Sequence, residues 1–169
     1  MKIKQIAILF LLVVAVGVAI SIVIQNLRWK AVNTQNRQYT LSRAAEEGNL
    51  SLVRACVEAG ADVNAAPRTS DGEIGGWPPL ALAAAATPHE DIVRYLLEHG
   101  ANPNLPEGNN PLIRICWSRD FQRPSIAKLL LEHGADPNVH ERGTTPLASA
   151  RNTNQAVLVA LLLQYGAHD

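Results

Sequence analysis

Four segments of the chain end in the same way, with two apolar residues, two variable residues, and then a glycine–alanine pair followed by a polar residue. Apolar residues at helical spacing precede each pair, so every segment predicts the end of an amphipathic helix. A glycine there suits the left-handed conformation that closes many helices. The glycines are 40, 34 and 32 residues apart, at Gly60, Gly100, Gly134 and Gly166. A period in this range indicates a stack of repeated units.

A second signature lies upstream in each unit. A proline precedes a leucine at Leu80, Leu112 and Leu147, whereas the first unit begins at Leu41 without one. Proline fits the first position of a helix, because the donor it lacks would have no partner there. From this leucine to the glycine the distances are 19, 20, 22 and 19 residues, in chain order. Each unit therefore predicts two short helices separated by a polar break.

These two motifs, Thr-Pro-Leu as at residues 145–147 and Gly-Ala-Asp as at residues 134–136, resemble the ankyrin repeat. The resemblance covers roughly residues 38–169. It implies an all-α fold, an ankyrin-repeat solenoid of about four helix-turn-helix repeats with β-hairpin loops, preceded here by one hydrophobic N-terminal helix. The histidine that follows the family's Thr-Pro-Leu is missing in every copy. The third copy is longer around residues 118–124, and so is the hairpin before the second copy, over residues 65–77.

The predicted organisation has four parts. Residues 1–5 form a basic tail, residues 6–24 a transmembrane helix, residues 25–38 a polar linker and residues 39–169 the ankyrin-repeat domain. Within that domain, the approximate repeat boundaries are 39–64, 65–104, 105–138 and 139–169.

The apolar run from Ile6 to Ile24 contains 19 residues, none of them charged. As a helix it spans about 28 Å, close to the hydrocarbon thickness of a bilayer. A cleaved export signal is the alternative, with Ala19-Ile20-Ser21 as its cleavage site. Because Ile22-Val23-Ile24 continues the run past that site, we predict an uncleaved anchor.

Charge divides the chain into two halves whose charges cancel. Residues 1–40 carry a net charge of +5 and residues 41–169 a net charge of −5. An acidic repeat domain does not predict nucleic-acid binding, which requires a basic face. The cations on the two sides of the apolar run nearly balance under the positive-inside rule. A short tail before a long domain favours a single-pass membrane protein with the repeats on the non-cytoplasmic side, which is the periplasm in a bacterium.

Signs of catalysis or metal binding are weak. His99 and His133 occupy the same repeat position, where a histidine near a helix C-terminus suits the helix dipole. No His-x-x-x-His or Cys-x-x-Cys spacing predicts a metal site, and no glycine-rich loop predicts a phosphate-bearing cofactor or ligand. Cys56 and Cys116 fall at apolar positions two repeats apart, so we expect buried, unpaired thiols. We predict that the protein is not an enzyme, although a triad assembled in space would escape this reasoning.

The resemblance implies a concave, partner-binding groove, formed by the hairpin tips and the last turn of each first helix. Counting from the repeat leucines, and adding one residue of the second hairpin, places these residues on it: Glu46, Glu47, Ile74, Trp77, Ala85, Ala86, Asn109, Trp117, Ser118, Thr144, Asn152 and Thr153. Trp77 and Trp117 are the strongest candidates, because aromatic residues are enriched among binding hot spots. The alternative is that Trp77 packs on its long hairpin and Trp117 covers the lengthened turn.

Two functions follow as hypotheses. In the first, a membrane-anchored ankyrin-repeat protein holds an unknown protein partner near the membrane. In the second, the N-terminal segment is cleaved and a soluble repeat protein is exported as an effector or protective factor. An enzyme on a repeat scaffold is a third and weaker hypothesis.

Overall fold

The computed structural model describes residues 16–18, 20–24, 33, 34, 36–68, 71–73, 75–85, 89–105, 108–117 and 123–168. The chain divides into two units, Met1–Asn36 and Arg37–Asp169. In the first unit, residues 16–18 and 20–24 are helical and exposed, and the rest of the predicted span 6–24 lies outside the described residues. Among the residues described, no helix combines the length and the apolar character needed to cross a bilayer.

The described part of the second unit consists of helices arranged in pairs. Each pair ends at one of the four repeat glycines, all of which have φ of 85° or 86°, so the predicted left-handed helix ends are confirmed. The helices are α1 (residues 37–47), α2 (Leu50–Glu58), α3 (Pro79–Ala85), α4 (Glu90–Glu98), α5 (Pro111–Trp117), α6 (Pro124–Glu132), α7 (Pro146–Asn152) and α8 (Ala156–Gln164).

The predicted helix starts are also present. Pro79, Pro111 and Pro146 are the first residues of α3, α5 and α7. Asn110 accepts hydrogen bonds through its Oδ1 from the backbone N–H groups of residues 112 and 113, at 3.0 and 3.1 Å. Thr145 accepts one through its hydroxyl from the N–H of residue 148, at 3.1 Å. These side chains satisfy donors that have no partner within the first turn of a helix.

The helices form two layers that share one apolar core. The first helices α3, α5 and α7 pack side by side, as do the second helices α2, α4, α6 and α8. The repeat leucines Leu41, Leu80, Leu112 and Leu147 are each at most 1% exposed. Burying one leucine side chain contributes about 1.5–3 kcal/mol. The leucine that marks each unit in the sequence therefore joins the two layers.

Asparagine side chains join the glycine–alanine corners of neighbouring repeats. Asn64 donates to the carbonyl oxygen of Gly100 at 3.0 Å, and its Oδ1 accepts from the N–H of Asn102 at 2.7 Å. Asn104 repeats this arrangement with the third corner, and Asn138 with the fourth. At the first corner, Gln38 accepts from the N–H of residue 62 at 3.1 Å. The corners are thus aligned along one edge of the stack.

In the third and fourth repeats, the residue that precedes the second helix contacts the first helix of the preceding repeat. Arg123, which precedes α6, donates to the carbonyl oxygen of Ala84 at the end of α3, at 2.5 Å. Gln155, which precedes α8, donates to the carbonyl oxygen of Cys116 at 3.1 Å. These donors satisfy carbonyl groups that the end of a helix leaves without partners. The lengthened turn of the third repeat therefore delivers a cation to a helix C-terminus.

The predicted β-hairpins are not confirmed. Within the described residues, the loops contain no strand, and the loop before α7 closes with one antiparallel bridge between Glu141 and Thr144. Arg142 and Gly143 turn the chain between them with φ of 50° and 76°. The ladder cannot extend, because Thr145 already caps α7 and Pro146 has no N–H to donate.

Candidate functional site

A cleft of about 640 Å³ lies between α1 and the loop that leads into α3. One wall is a stripe of α1, and the spacing of its members places them on one helix face: Tyr39, Ser42, Arg43, Glu46 and Glu47. The other wall comes from the second repeat: Pro67, Gly75, Gly76, Trp77 and Leu82. The cleft therefore brings together the predicted residues Glu46, Glu47 and Trp77.

Polar groups in the cleft are only partly satisfied. Arg43 donates to Glu47 at 2.7 Å, and this hydrogen bond is the main reason that the pKa of Arg43 is raised. Glu46 is exposed and makes no ion pair within the described residues. The Ser42 hydroxyl is buried and has no hydrogen-bond partner in the described part of the chain. The exposed carboxylate of Glu46 is thus available to a bound molecule.

Trp77 is 43% exposed, and a cation from the next repeat lies over its ring. The guanidinium carbon of Arg114 is 3.4 Å from the ring centroid, within the range of a cation–π contact. Burial lowers the pKa of Arg114, and the nearby carboxylate of Glu141 opposes that shift. Arg114 therefore holds the indole in place while leaving part of it exposed.

Trp117 is less accessible, at 36% exposed, and lies at the end of α5. The guanidinium carbon of Arg142 is 5.7 Å from its ring centroid. Beside Arg142, the buried Glu141 accepts a hydrogen bond from the N–H of Gly108 at 2.9 Å. Trp77 and Trp117 are thus each paired with an arginine from the repeat that follows.

The remaining predicted positions differ in accessibility. Asn152 is exposed, and Ala85 and Asn109 are half-buried. The Thr144 hydroxyl is 3.0 Å from that of Ser149, and Thr153 donates to the carbonyl oxygen of Ser149 at 2.8 Å, so both hydroxyls are used inside the stack. Three predicted positions lie outside the described residues: Ile74, Ala86 and Ser118.

Counting from the repeat leucines identified only part of the cleft. It selected Glu46 and Glu47 but not Tyr39, Ser42 and Arg43, which lie one and two turns earlier on the same face of α1. Helical periodicity alone would have identified them, because residues three, four and seven positions apart share a face.

His99, His133 and the two cysteines contribute to the fold. The Nδ1 atoms of His99 and His133 lie 2.7 and 2.8 Å from carbonyl oxygens one turn back, at the predicted helix ends. Cys56 and Cys116 are buried and unpaired, as expected. Burial raises the pKa of Cys116 to about 12, which disfavours a reactive thiolate. No group of three or more potential metal ligands occurs in the part of the chain that the structure describes.

Comparison with known families agrees with this geometry. The family model described as "Ankyrin repeats (3 copies)" matches residues 9–107 and 41–141. The chain belongs to the ankyrin-repeat family. The ankyrin motifs predicted from the sequence are thereby confirmed.

Curated relatives share the repeats over part of their length. The chain is 32% identical over 138 residues to "Ankyrin repeat, SAM and basic leucine zipper domain-containing protein 1" of Dasypus novemcinctus, a match that covers 79% of this chain and 28% of that protein. It is 39% identical over 71 residues to the "2-5A-dependent ribonuclease" of Homo sapiens, covering 42% of this chain and 9% of the ribonuclease. This ankyrin chain thus spans less than a third of either relative, and ankyrin repeats typically act as non-enzymatic interaction scaffolds.

Proposed function

We propose that this ankyrin-repeat protein holds a protein partner close to a membrane. The partner binds the concave side of the repeat domain, and the apolar run 6–24 anchors the chain as a single-pass protein. Ankyrin repeats in general mediate protein–protein interaction, and family membership supports that part of the proposal. The binding surface and the membrane anchor are the parts of the proposal that go beyond family membership.

The cleft beside Trp77 is the observation that carries the proposal. It combines a partly exposed aromatic ring with the exposed carboxylate of Glu46, which makes no ion pair within the described residues. Binding hot spots concentrate on aromatic residues in pockets that become desolvated in the complex. Because Arg114 already holds the indole, binding a partner costs little further conformational entropy of this side chain.

The sequence supports the anchor. The run 6–24 has no charged residue, and its described members Val16, Val18, Ile20 and Ile22 are each more than half exposed. Exposed apolar side chains on a helix are costly in water and favourable in hydrocarbon. We also propose that the repeats lie on the non-cytoplasmic side.

Affinity purification of the full chain from its native cell tests the surface. We expect Trp77→Ala to reduce recovery of the partner by about thirtyfold, since hot-spot truncations cost about 2 kcal/mol or more. Trp117→Ala should have a smaller effect, because Trp117 is less exposed. Leu52→Ala is the matched control, a 38% exposed apolar residue of α2 that does not line the cleft.

Two outcomes of this experiment would count against the cleft. Partner recovery that is unchanged by Trp77→Ala, in a variant with an unaltered circular dichroism spectrum, would remove the cleft from consideration. Equal losses for Trp77→Ala and Leu52→Ala would show that the effect is not specific to the cleft.

A further inference from the structure

The cleft beside Trp77 carries a net negative charge. Among the described residues that line it, the charged ones are Arg43, Glu46 and Glu47. Arg43 and Glu47 neutralise each other across 2.7 Å, whereas the exposed carboxylate of Glu46 makes no ion pair within the described residues. The repeat domain around the cleft is also acidic, with a net charge of −5 over residues 41–169. A bound molecule therefore meets one carboxylate whose charge is not balanced.

Two aromatic side chains line the same cleft. Tyr39 is 52% exposed and Trp77 is 43% exposed. The guanidinium of Arg114 lies over the Trp77 ring, but Arg114 does not line the cleft, so the cleft reaches the ring from another side. That contact shows that this indole already attracts a cation through its π electrons. The part of the ring that Arg114 leaves open offers the same attraction to a second cation.

Apolar groups complete the walls of the cleft. The buried Pro67 and the half-buried Leu82 lie on the same wall as Trp77, together with two glycines that have no side chain. A lysine or arginine side chain consists of an apolar stem and a charged end, and it places the stem along apolar surface. The cleft therefore offers a surface for the stem and a carboxylate for the charged end.

We propose that the cleft binds a lysine or arginine side chain of the protein partner. Its cationic end pairs with the Glu46 carboxylate, and its stem lies along Trp77 and Leu82. The partner is the protein of the proposed function, so this inference rests on that function and adds the chemistry that the cleft recognises. Charge complementarity selects this occupant, because the cleft and the domain around it are both negative.

Other partner chemistries fit less well. An acidic segment would be repelled by Glu46 and by the net charge of the domain. A purely apolar segment would cover the Glu46 carboxylate without giving it a partner, which is costly. The charge of Arg114 does not oppose a second cation at Trp77, because the nearby carboxylate of Glu141 offsets it. A basic side chain is thus the occupant that compensates the cleft.

Selection from a library of short random peptides tests the proposal. The peptides are displayed on phage and panned against the full chain in detergent, and clones that bind the wild type but not Trp77→Ala are kept. We expect these clones to share a lysine or an arginine. In the synthetic peptides, replacing that residue by glutamine should weaken binding about tenfold, because an ion pair and a cation–π contact are lost. Fluorescence polarisation measures the Kd.

Variants of the chain test the role of charge with the same peptides. Glu46→Gln should weaken binding about threefold, since it removes the carboxylate that pairs with the cation. Arg43→Gln should strengthen binding, because it leaves the Glu47 carboxylate without its internal partner. Glu58→Gln is the matched control and should change nothing. Glu58 is exposed on α2, makes no ion pair within the described residues and does not line the cleft.

The results distinguish this inference from the proposed function. Peptides that require Trp77 but contain no basic residue, or that tolerate its replacement, would overturn the inference and leave the proposed function intact. Weaker binding by Arg43→Gln would also overturn it, because a merely structural disturbance of the cleft has that effect. A library without any Trp77-dependent peptide would reject it as well. Failure of the proposed function is read separately, as recovery of the partner that Trp77→Ala does not change.

Discussion

At the scale of single residues, Gly48 shows how closely neighbouring repeats approach each other. Its φ is +80°, and a Cβ atom added there would lie 2.0 Å from the His89 ring of the next repeat. Gly100 has a similar φ of +86°, but no atom lies within 4 Å of the same added Cβ. Alanine substitution at the two glycines therefore distinguishes the cost of backbone strain from the cost of steric overlap.

We expect Gly100→Ala to lower the free energy of unfolding by about 1–2 kcal/mol, which is the cost of a left-handed alanine. Gly48→Ala should cost about 1–3 kcal/mol more, because the His89 ring must move. Urea denaturation of the two variants measures the difference. Equal losses would mean that His89 does not pack against this turn.

Cys116 should titrate far above the usual thiol range. Burial raises its pKa from 9.0 to about 12 in the folded protein. Between these values the unfolded chain binds fewer protons, so the free energy of unfolding should decrease as the pH rises above 9. At pH 9 iodoacetamide should label Cys116 in denaturant and not in the native protein, as read by mass spectrometry. Rapid labelling of the native protein would contradict the burial.

Sequence reasoning was most reliable for residues whose role is local. The repeat leucines and the closing glycines follow from helical spacing and helix-end chemistry, and their burial and φ values agree. The contact between Arg114 and Trp77 could not be predicted in this way. It joins two repeats, and it depends on how far α5 lies from the loop that carries Trp77.

At the scale of the repeated elements, the asparagine ladder ties one corner to the next. Asn104 donates to the Gly134 carbonyl oxygen at 2.8 Å and accepts from the N–H of Asp136 at 2.8 Å. We expect Asn104→Ala to lower the free energy of unfolding by about 1–3 kcal/mol, since two backbone partners lose their hydrogen bonds. Asn152→Ala, at an exposed site on α7, should change it by less than about 0.5 kcal/mol. Thermal denaturation of both variants would refute the ladder's role if their midpoints matched.

The loops were predicted less well than the helices. Family resemblance implied β-hairpins, but the loop before α7 pairs only Glu141 with Thr144. The apolar pattern of a helix repeats over several turns, whereas a four-residue hairpin is too short to show a periodic pattern in the sequence. Thr145 and Pro146, which follow this hairpin and begin α7, end the strand pairing. The competition between helix capping and strand pairing appears only in the folded chain.

At the scale of the whole molecule, the predicted anchor and the exported alternative differ in mass and in extractability. If residues 6–24 span a membrane, alkaline carbonate should leave the full chain in the membrane pellet. A double substitution, Val14→Lys/Val18→Lys, should release it, because each central lysine costs about 3 kcal/mol in a bilayer. The intact mass of the protein isolated from its native cell tests the exported alternative. A chain that starts near Ile22 would reject the anchor and support export.

The central claim is that a protein partner occupies the cleft beside Trp77, and site-specific photocrosslinking in the living cell tests it most directly. With benzoylphenylalanine in place of Glu46, which lines the cleft, irradiation should give one discrete adduct. The same group in place of Arg54, exposed on α2 and outside the cleft, should not give it. No adduct from position 46, or the same adduct from both positions, would contradict the proposed binding surface.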